Sequence, residues 1–514
     1  EEMKAVREEH ARYYLEWLAR MEIDFKGAGQ VEAAERLAHD LENVRSAWHW
    51  AVANRMTAAL HDAILSLALF CVMRSRFHDG AELFAEAIAA FRRSPPQSEK
   101  QHVLLGYLLA VRGWFLEHLY KPAEAGRLAR ESLDLLEPLG RRWELAFAYL
   151  TGVFGRSVVS PGSERAYFEK ALEIYRECED HWGEGGVLER LGTLVYYQDR
   201  DYAAATRYLE ESLDLRRELG DRWGMAAVLF TMGTMAQDQG LRDEAERRYY
   251  ESFELRWEIG DPWGTAICLD FLGYVLRRMG EYERARELHE QSLEISRRIG
   301  DVMGIGGSLD NLGMVAYNEG DYVEAQRYFE EGLEARQKAE ERYGDIAFSQ
   351  EHLGDVHLAQ GHIEEATRFY KQSLANYEHT GNDVHWGFVR AYHGLGRLAR
   401  VLGDDTRARK EFRLALERAL KTRAYSLALE VFISVADLWL DEGRSAEAVE
   451  LLGAIKGHRA SAYQTEQAAG DIVARAKPLL TEENFRAAFE RGQKAELMIL
   501  VGEVAARLAE APSD

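Results

Sequence analysis

The chain has 514 residues with only eight prolines and no low-complexity run, so it offers no visible linker and reads as one continuous body. Its 64 basic and 87 acidic residues give a net charge of −23 spread along the whole length, which excludes the basic footprint that direct binding of nucleic acid requires. The longest apolar run, 63–73, is about half a membrane span, and the first residues lack the pattern of a secretion signal, so a cytoplasmic chain without membrane contact is expected.

Helical spacing begins at the N-terminus, with His10-Ala11-Arg12-Tyr13-Tyr14-Leu15 and then the stretch from Leu37 to Ala51. Small residues at matched sites, Leu67-Ala68 with Ala87 and Gly113 with Ala125 and Ser132, mark early hairpins. The stretch from Tyr149 to Glu179 keeps the helical pattern but turns through Ser160-Pro161-Gly162-Ser163, which blurs its landmarks.

From here a repeat is plain. An aromatic or Met before Gly recurs at Trp182, Trp223, Trp263, Met303, Tyr343 and Trp386, in steps of 41, 40, 40, 40 and 43 residues. A Gly follows each after ten or eleven residues (Gly192, Gly233, Gly273, Gly313, Gly354, Gly396), and an Ala twelve further on (Ala204, Ala245, Ala285, Ala325, Ala366, Ala408), small sites that let two helices approach closely. Apolar residues at three- and four-residue spacing, such as Leu272, Val275 and Leu276, make each unit a helix-turn-helix hairpin. Gly220, Gly260 and Gly300 suit the left-handed residue ending a helix, and Asp221, Asp261 and Asp301 suit the N-cap of the next. Ala436 with Ala448 extends the series, for about ten hairpins in all. The expected fold is all-α: an α-solenoid, a right-handed superhelix, with atypical helices capping both ends.

Motifs for chemistry are missing. No GxxxxGK[ST], HExxH, GxSxG or CxxC occurs, so no catalytic residue, cofactor or bound nucleotide is expected of this chain. Cys71, Cys178 and Cys268 are far apart and read as packed on apolar helix faces, which argues against disulfides. His352 and His357, five residues apart, and His362 beyond a turn read as packing or solvated histidines, with no metal. Each repeated Trp reads as a plug at the junction of one hairpin with the next.

The landmarks resemble the tetratricopeptide repeat (TPR) in its longer form of about forty residues, as in kinesin light chains, Pins-type adaptors and the sensor ends of bacterial regulatory ATPases. The resemblance implies a concave groove lined by the first helix of each hairpin, with groove-facing positions three before, one after and four after the landmark Gly. The first of these holds Glu189, Phe230, Asp270, Asp310, Glu351 and His393. The others hold Thr193, Thr234, Tyr274, Met314, Asp355, Arg397 and Tyr196, Gln237, Arg277, Tyr317, Leu358, Arg400. An acidic, aromatic-flanked floor therefore passes to a basic patch at Arg390, Arg397 and Arg400. Two readings stand: a ligand floor for a cationic protein or peptide, or a solvated face whose acids pair with neighbouring Arg, as Asp270 with Arg277. Pins-type adaptors clamp peptide backbones with an Asn two before the Gly, and here only Asn311 matches.

At the ends, 10–15 with 37–51, and Leu480 to Gly492, are similar to the segments that flank the TPR array in bacterial STAND ATPases of the NB-ARC type. That resemblance implies a cap or linker over 1–60, a superhelix over 61–460 and closing helices over 461–514. It further implies that the nucleotide core would precede Glu1, and that the chain is a sensor binding an inducer (protein, peptide or small molecule) in its groove and controlling that core. The alternative is a free-standing TPR scaffold bridging two proteins.

Overall fold

The structure, a computed structural model, describes residues 2–93, 96–140, 142–152, 164–337, 343–380 and 385–510. Among them every regular element is helical, and the chain is an all-α solenoid of repeated hairpins. In the central repeats the first helices are His181–Leu194, Arg222–Asp238, Pro262–Met279, Val302–Glu319, Tyr343–Ala359 and Gly387–Val401. The second helices are Tyr202–Leu219, Arg242–Ile259, Tyr282–Ile299, Tyr322–Gln337, Ile363–His379 and Asp405–Thr422. The turn 160–163 lies outside the described residues. No helix of the described residues is long and apolar enough to cross a membrane.

The recurring Gly-Asp step works as its chemistry dictates. Gly220, Gly260 and Gly300 adopt φ of +75°, +73° and +73°, ending one helix. The next residue then caps the following helix: Asp221 accepts from Gly224 N at 2.9 Å, Asp261 from Gly264 N at 3.0 Å and Asp301 from Met303 N at 3.1 Å. The landmark Gly has a packing reason. A Cβ at Gly313 would stand 2.6 Å from the Phe329 ring, and one at Gly396 would meet the Phe412 ring, so Gly on these first helices admits an aromatic ring from the second, while Gly192 admits Leu209.

One repeat departs from the expected spacing. Residues 195–199 form a π-helical turn, which inserts one residue between Gly192 and the second helix. Ala205, fully buried, therefore takes the place expected of Ala204, and the same insertion accounts for the 41-residue step from Trp182 to Trp223. The cysteine reading is also corrected: Cys71 and Cys268 are buried, whereas Cys178 follows the end of the helix Glu164–Glu177 and is exposed.

The chain forms two compact units, Glu1–Met235 with Glu244–Cys268, and Ala236–Asp243 with Leu269–Asp514. In the first, the N-terminal hairpins pack back onto the inter-repeat turns. Lys26 Nζ meets Asp180 at 3.0 Å, Gln30 Nε2 donates to Asp221 at 2.6 Å, and Ser75 Oγ donates to Asp261 at 3.3 Å. Gln30 Oε1 and Ser75 Oγ in turn accept from the backbone N–H of Trp223 and Trp263 at 3.0 and 2.9 Å. Three Asp spaced by one repeat thus serve twice, capping their own helices and anchoring earlier hairpins.

Trp223 and Trp263 follow the same logic, which differs from the expected plug between consecutive hairpins, whereas Trp386 meets Phe348 of the preceding hairpin with ring centroids 5.7 Å apart, as expected. Trp223 packs edge-on to Trp114 with ring centroids 6.2 Å apart, and Trp263 meets Phe77 and His118 at 5.9 and 5.3 Å. Their partners lie more than a hundred residues earlier. In the second unit the core gathers Phe432, Trp439, Leu451 and Leu452 against the closing helices Glu482–Lys494 and Leu497–Ala509.

Candidate functional site

The first-helix positions fall into two groups, one in each unit. In the first unit, Glu189 is almost buried, accepts from Thr193 Oγ1 at 3.1 Å and pairs with Arg190 at 3.2 Å. Tyr196 sits on the π-helical turn, 1% exposed and packed on Tyr197 at 4.4 Å, because the inserted residue turns its ring inward. Phe230 is half-buried against Tyr249 at 5.4 Å.

Glu189 also lines a cleft of about 60 Å³. Trp114, Phe147, Leu150 and Thr151 of earlier hairpins form one wall, and Trp182, Gly186, Arg190, Trp223, Gly224 and Ala227 form the other, with Arg216 beside them. The Trp182 indole N–H is buried without a hydrogen-bond partner. One turn along the helix Glu99–His118 from Trp114 stands Glu117, whose carboxyl burial pushes up to about 7. Sequence periodicity had flagged Trp182 and Trp223, but the opposite wall comes from hairpins whose landmarks carry no groove signal.

The Glu117 shift has a definite sign. A carboxyl with a raised folded-state pKa binds protons more tightly when folded, so its contribution is fully present below its ordinary value of 4.5 and is lost as pH rises through about 7. Glu117→Gln should therefore match the parent chain in melting temperature in acid and exceed it above pH 7. Parallel melting curves across that range would show that the carboxyl is not desolvated.

In the second unit the acids meet internal partners. Asp270 accepts from Ser308 Oγ at 2.8 Å and faces His289 Nδ1 at 2.8 Å. The expected pairing with Arg277 is absent, because seven residues separate the two along one helix, about 10 Å of rise, whereas the second helix and the next repeat are closer. Asp310, 1% exposed, is bonded by Arg336 and by Ser349 Oγ at 3.1 Å. Arg390 Nε donates to both oxygens of Glu351 at 2.8 Å, and its Nη2 lies 3.2 Å from His352 Nδ1 and 3.8 Å from Asp355. Glu351, His352 and Asp355 are close enough to share a cation, and the guanidinium of Arg390 fills that role. Burial and this neighbouring positive charge hold His352 well below the ordinary imidazole value, hence neutral.

The basic patch is likewise partnered, Arg397 with Asp355 at 3.0 Å and Arg400 with Asp405 at 2.5 Å and with Asp441. Tyr317 packs on Tyr322 at 5.4 Å, and Tyr274 lies under the guanidinium of Arg277 at 5.3 Å. Gln237 and Asn311 are half-buried. His357 and His362 face each other through their Nδ1 atoms at 3.5 Å.

Comparison with known proteins agrees with this geometry at the level of the repeat. Residues 224–298 and 305–379 match one tetratricopeptide repeat model and 193–220 match another, so the chain carries tetratricopeptide repeats. No curated protein matches it in sequence. Among solved structures, a Rap protein complexed with competence and sporulation factor is similar at 14% identity and a TM-score of 0.50, over 73% of this chain and 99% of that one. A STAND protein with a tetratricopeptide repeat sensor from Pyrococcus horikoshii is similar at 17% identity and a TM-score of 0.45, over 67% of this chain and 53% of that one. BtubC (BKLC) from P. vanneervenii is similar at 20% identity and a TM-score of 0.38, over 43% and 94%.

Proposed function

We propose that this tetratricopeptide array recognises a protein or peptide partner through the faces of its first helices, and that the recognition serves as the sensor of a STAND signal-transduction ATPase. The observation that carries the binding role is the cleft lined by Trp114, Phe147, Trp182 and Trp223. Flat aromatic walls beside the Glu189–Arg190 ion pair suit the insertion of one side chain from an extended partner. Support for the sensor role comes from the likeness of 10–15, 37–51 and 480–492 to the segments flanking the array in STAND ATPases of the NB-ARC type. In that setting the chain supplies recognition, and a nucleotide core elsewhere in the protein supplies the switch.

The test uses short random peptides selected for binding to the chain. Ala227→Leu, which fills the cleft, should weaken the selected peptides at least tenfold while leaving the melting temperature near that of the parent. Peptides that bind the filled variant as tightly as the parent would remove this face as the site.

A further inference from the structure

The acids of the second unit described above are matched by groups of their own fold, and among the described residues a buried cation stands near them without an acid partner. Arg277, on the helix Pro262–Met279, is 8% exposed. Its guanidinium makes no hydrogen bond or ion pair with any described residue, and its Nε is buried without a partner. Arg278 next to it behaves differently, donating to the Ala460 carbonyl at 2.7 Å. The segment around 460–464 thereby fastens the end of this helix, with Gln464 Nε2 reaching the Arg277 carbonyl at 3.4 Å and Tyr282 Oη at 2.6 Å. Arg277 is thus held on a fixed backbone.

What surrounds Arg277 does not neutralise it. Tyr274 lies under its guanidinium at 5.3 Å, and Arg390, Arg278 and Glu430 are near enough for their charges to be felt. Glu430 already faces Arg390 at 3.9 Å, Glu351 is taken by Arg390, and Asp355 is shared by Arg390 and Arg397. Burial draws the Arg277 pKa down to about 10, so it remains charged at neutral pH. A buried charge without a counter-ion is unfavourable, so a fold that keeps one holds a site that an outside anion would complete.

We infer that Arg277 is the anchor of an oxyanion site in the second unit, which takes a carboxylate or phosphate group carried by the partner. This rests on the reading of the first-helix faces as a binding surface and adds to it. The acidic positions alone suggest a cationic partner, whereas in this unit Asp310 and Glu351 are already occupied by Arg336 and Arg390, and the open valence is positive.

The experiment reads anion-specific stabilisation of the chain, so it does not depend on any peptide. Melting temperature is followed against inorganic phosphate, and separately against acetyl-aspartate, with chloride making up constant ionic strength. The parent should show a saturable rise, Arg277→Gln none, and Arg298→Gln, at an exposed position, the full rise. A rise with phosphate alone identifies a phosphorylated partner group, and a rise with both probes identifies a carboxylate-bearing one. Arg277→Met in chloride should melt at or above the parent temperature, because it removes an unmatched charge; a lower melting temperature would make Arg277 a structural residue and overturn the inference. Equal phosphate responses in the parent and in Arg277→Gln would also overturn it, and Arg277→Lys, which retains the cation, should keep a weakened response.

Discussion

Replacing Asp221 with Ala should destabilise the first unit by about 3–5 kcal/mol, the range for removing one partner of a buried ion pair. Asp221 is fully buried and Arg216 is 4% exposed, and the two are directly bonded. The same carboxylate caps the helix Arg222–Asp238 through Gly224 N and holds Gln30, so three connections end at once. Most of the loss should come from Arg216, left charged in a dry site. Adding Arg216→Met to Asp221→Ala should therefore recover a large part of the urea midpoint. A double variant no more stable than Asp221→Ala would mean that the cap and the Gln30 contact dominate. Loss of the Gln30 anchor should also appear as faster amide exchange in the helix Gln30–His39.

Gly492→Ala should loosen the closing helices at or above the upper end of the ~1–3 kcal/mol range for overpacking. A Cβ at Gly492 would lie 1.8 Å from the Glu450 carbonyl oxygen and 2.8 Å from Ala454 N, and neither is a side chain that can swing away. The crossing is reciprocal, since a Cβ at Gly453 would meet the Phe489 carbonyl oxygen at 2.1 Å. The helices Ser445–Ile455 and Glu482–Lys494 therefore pack backbone to backbone. Separating them uncovers Leu451, Leu452 and Ala488, so the variant should self-associate as well as melt early. Gly470→Ala is the control: nothing lies within 4 Å of its Cβ, and the change should stabilise the helix by about 0.5–1 kcal/mol. Matching behaviour of the two variants would refute the close crossing.

Much of the solenoid could be read from local spacing, because hairpin chemistry is local. A left-handed Gly at 220, 260 or 300 followed by a capping Asp needs only its own turn, and the landmark Gly needs only a side chain of its own second helix. The candidate site was harder to read. Spacing placed Glu189, Asp270, Asp310 and Glu351 on one stripe, yet a stripe says nothing about which charges remain available. Pairing depends on which residues the stacking of hairpins brings within a few ångströms, as Ser308 reaches Asp270 across 38 positions and Arg390 reaches Glu351 across 39.

The longest-range choices were beyond any periodicity. Gln30 meets Asp221 over a separation of 191 residues and Ser75 meets Asp261 over 186, contacts that exist only because the N-terminal hairpins return to the inter-repeat turns. The cleft beside Trp182 has its second wall for the same reason. The single extra residue of the π-helical turn at 195–199 registered in the sequence only as a 41-residue step, and its effect of burying Tyr196 and Ala205 needed the folded turn. Arg277 completes the contrast: residue type and repeat position put an arginine on the inner face, but its lack of a counter-ion is a property of every neighbour at once. Helix periodicity and capping act over single turns and survive in a string of letters, whereas charge compensation and cavity walls depend on distances that only the packed chain defines.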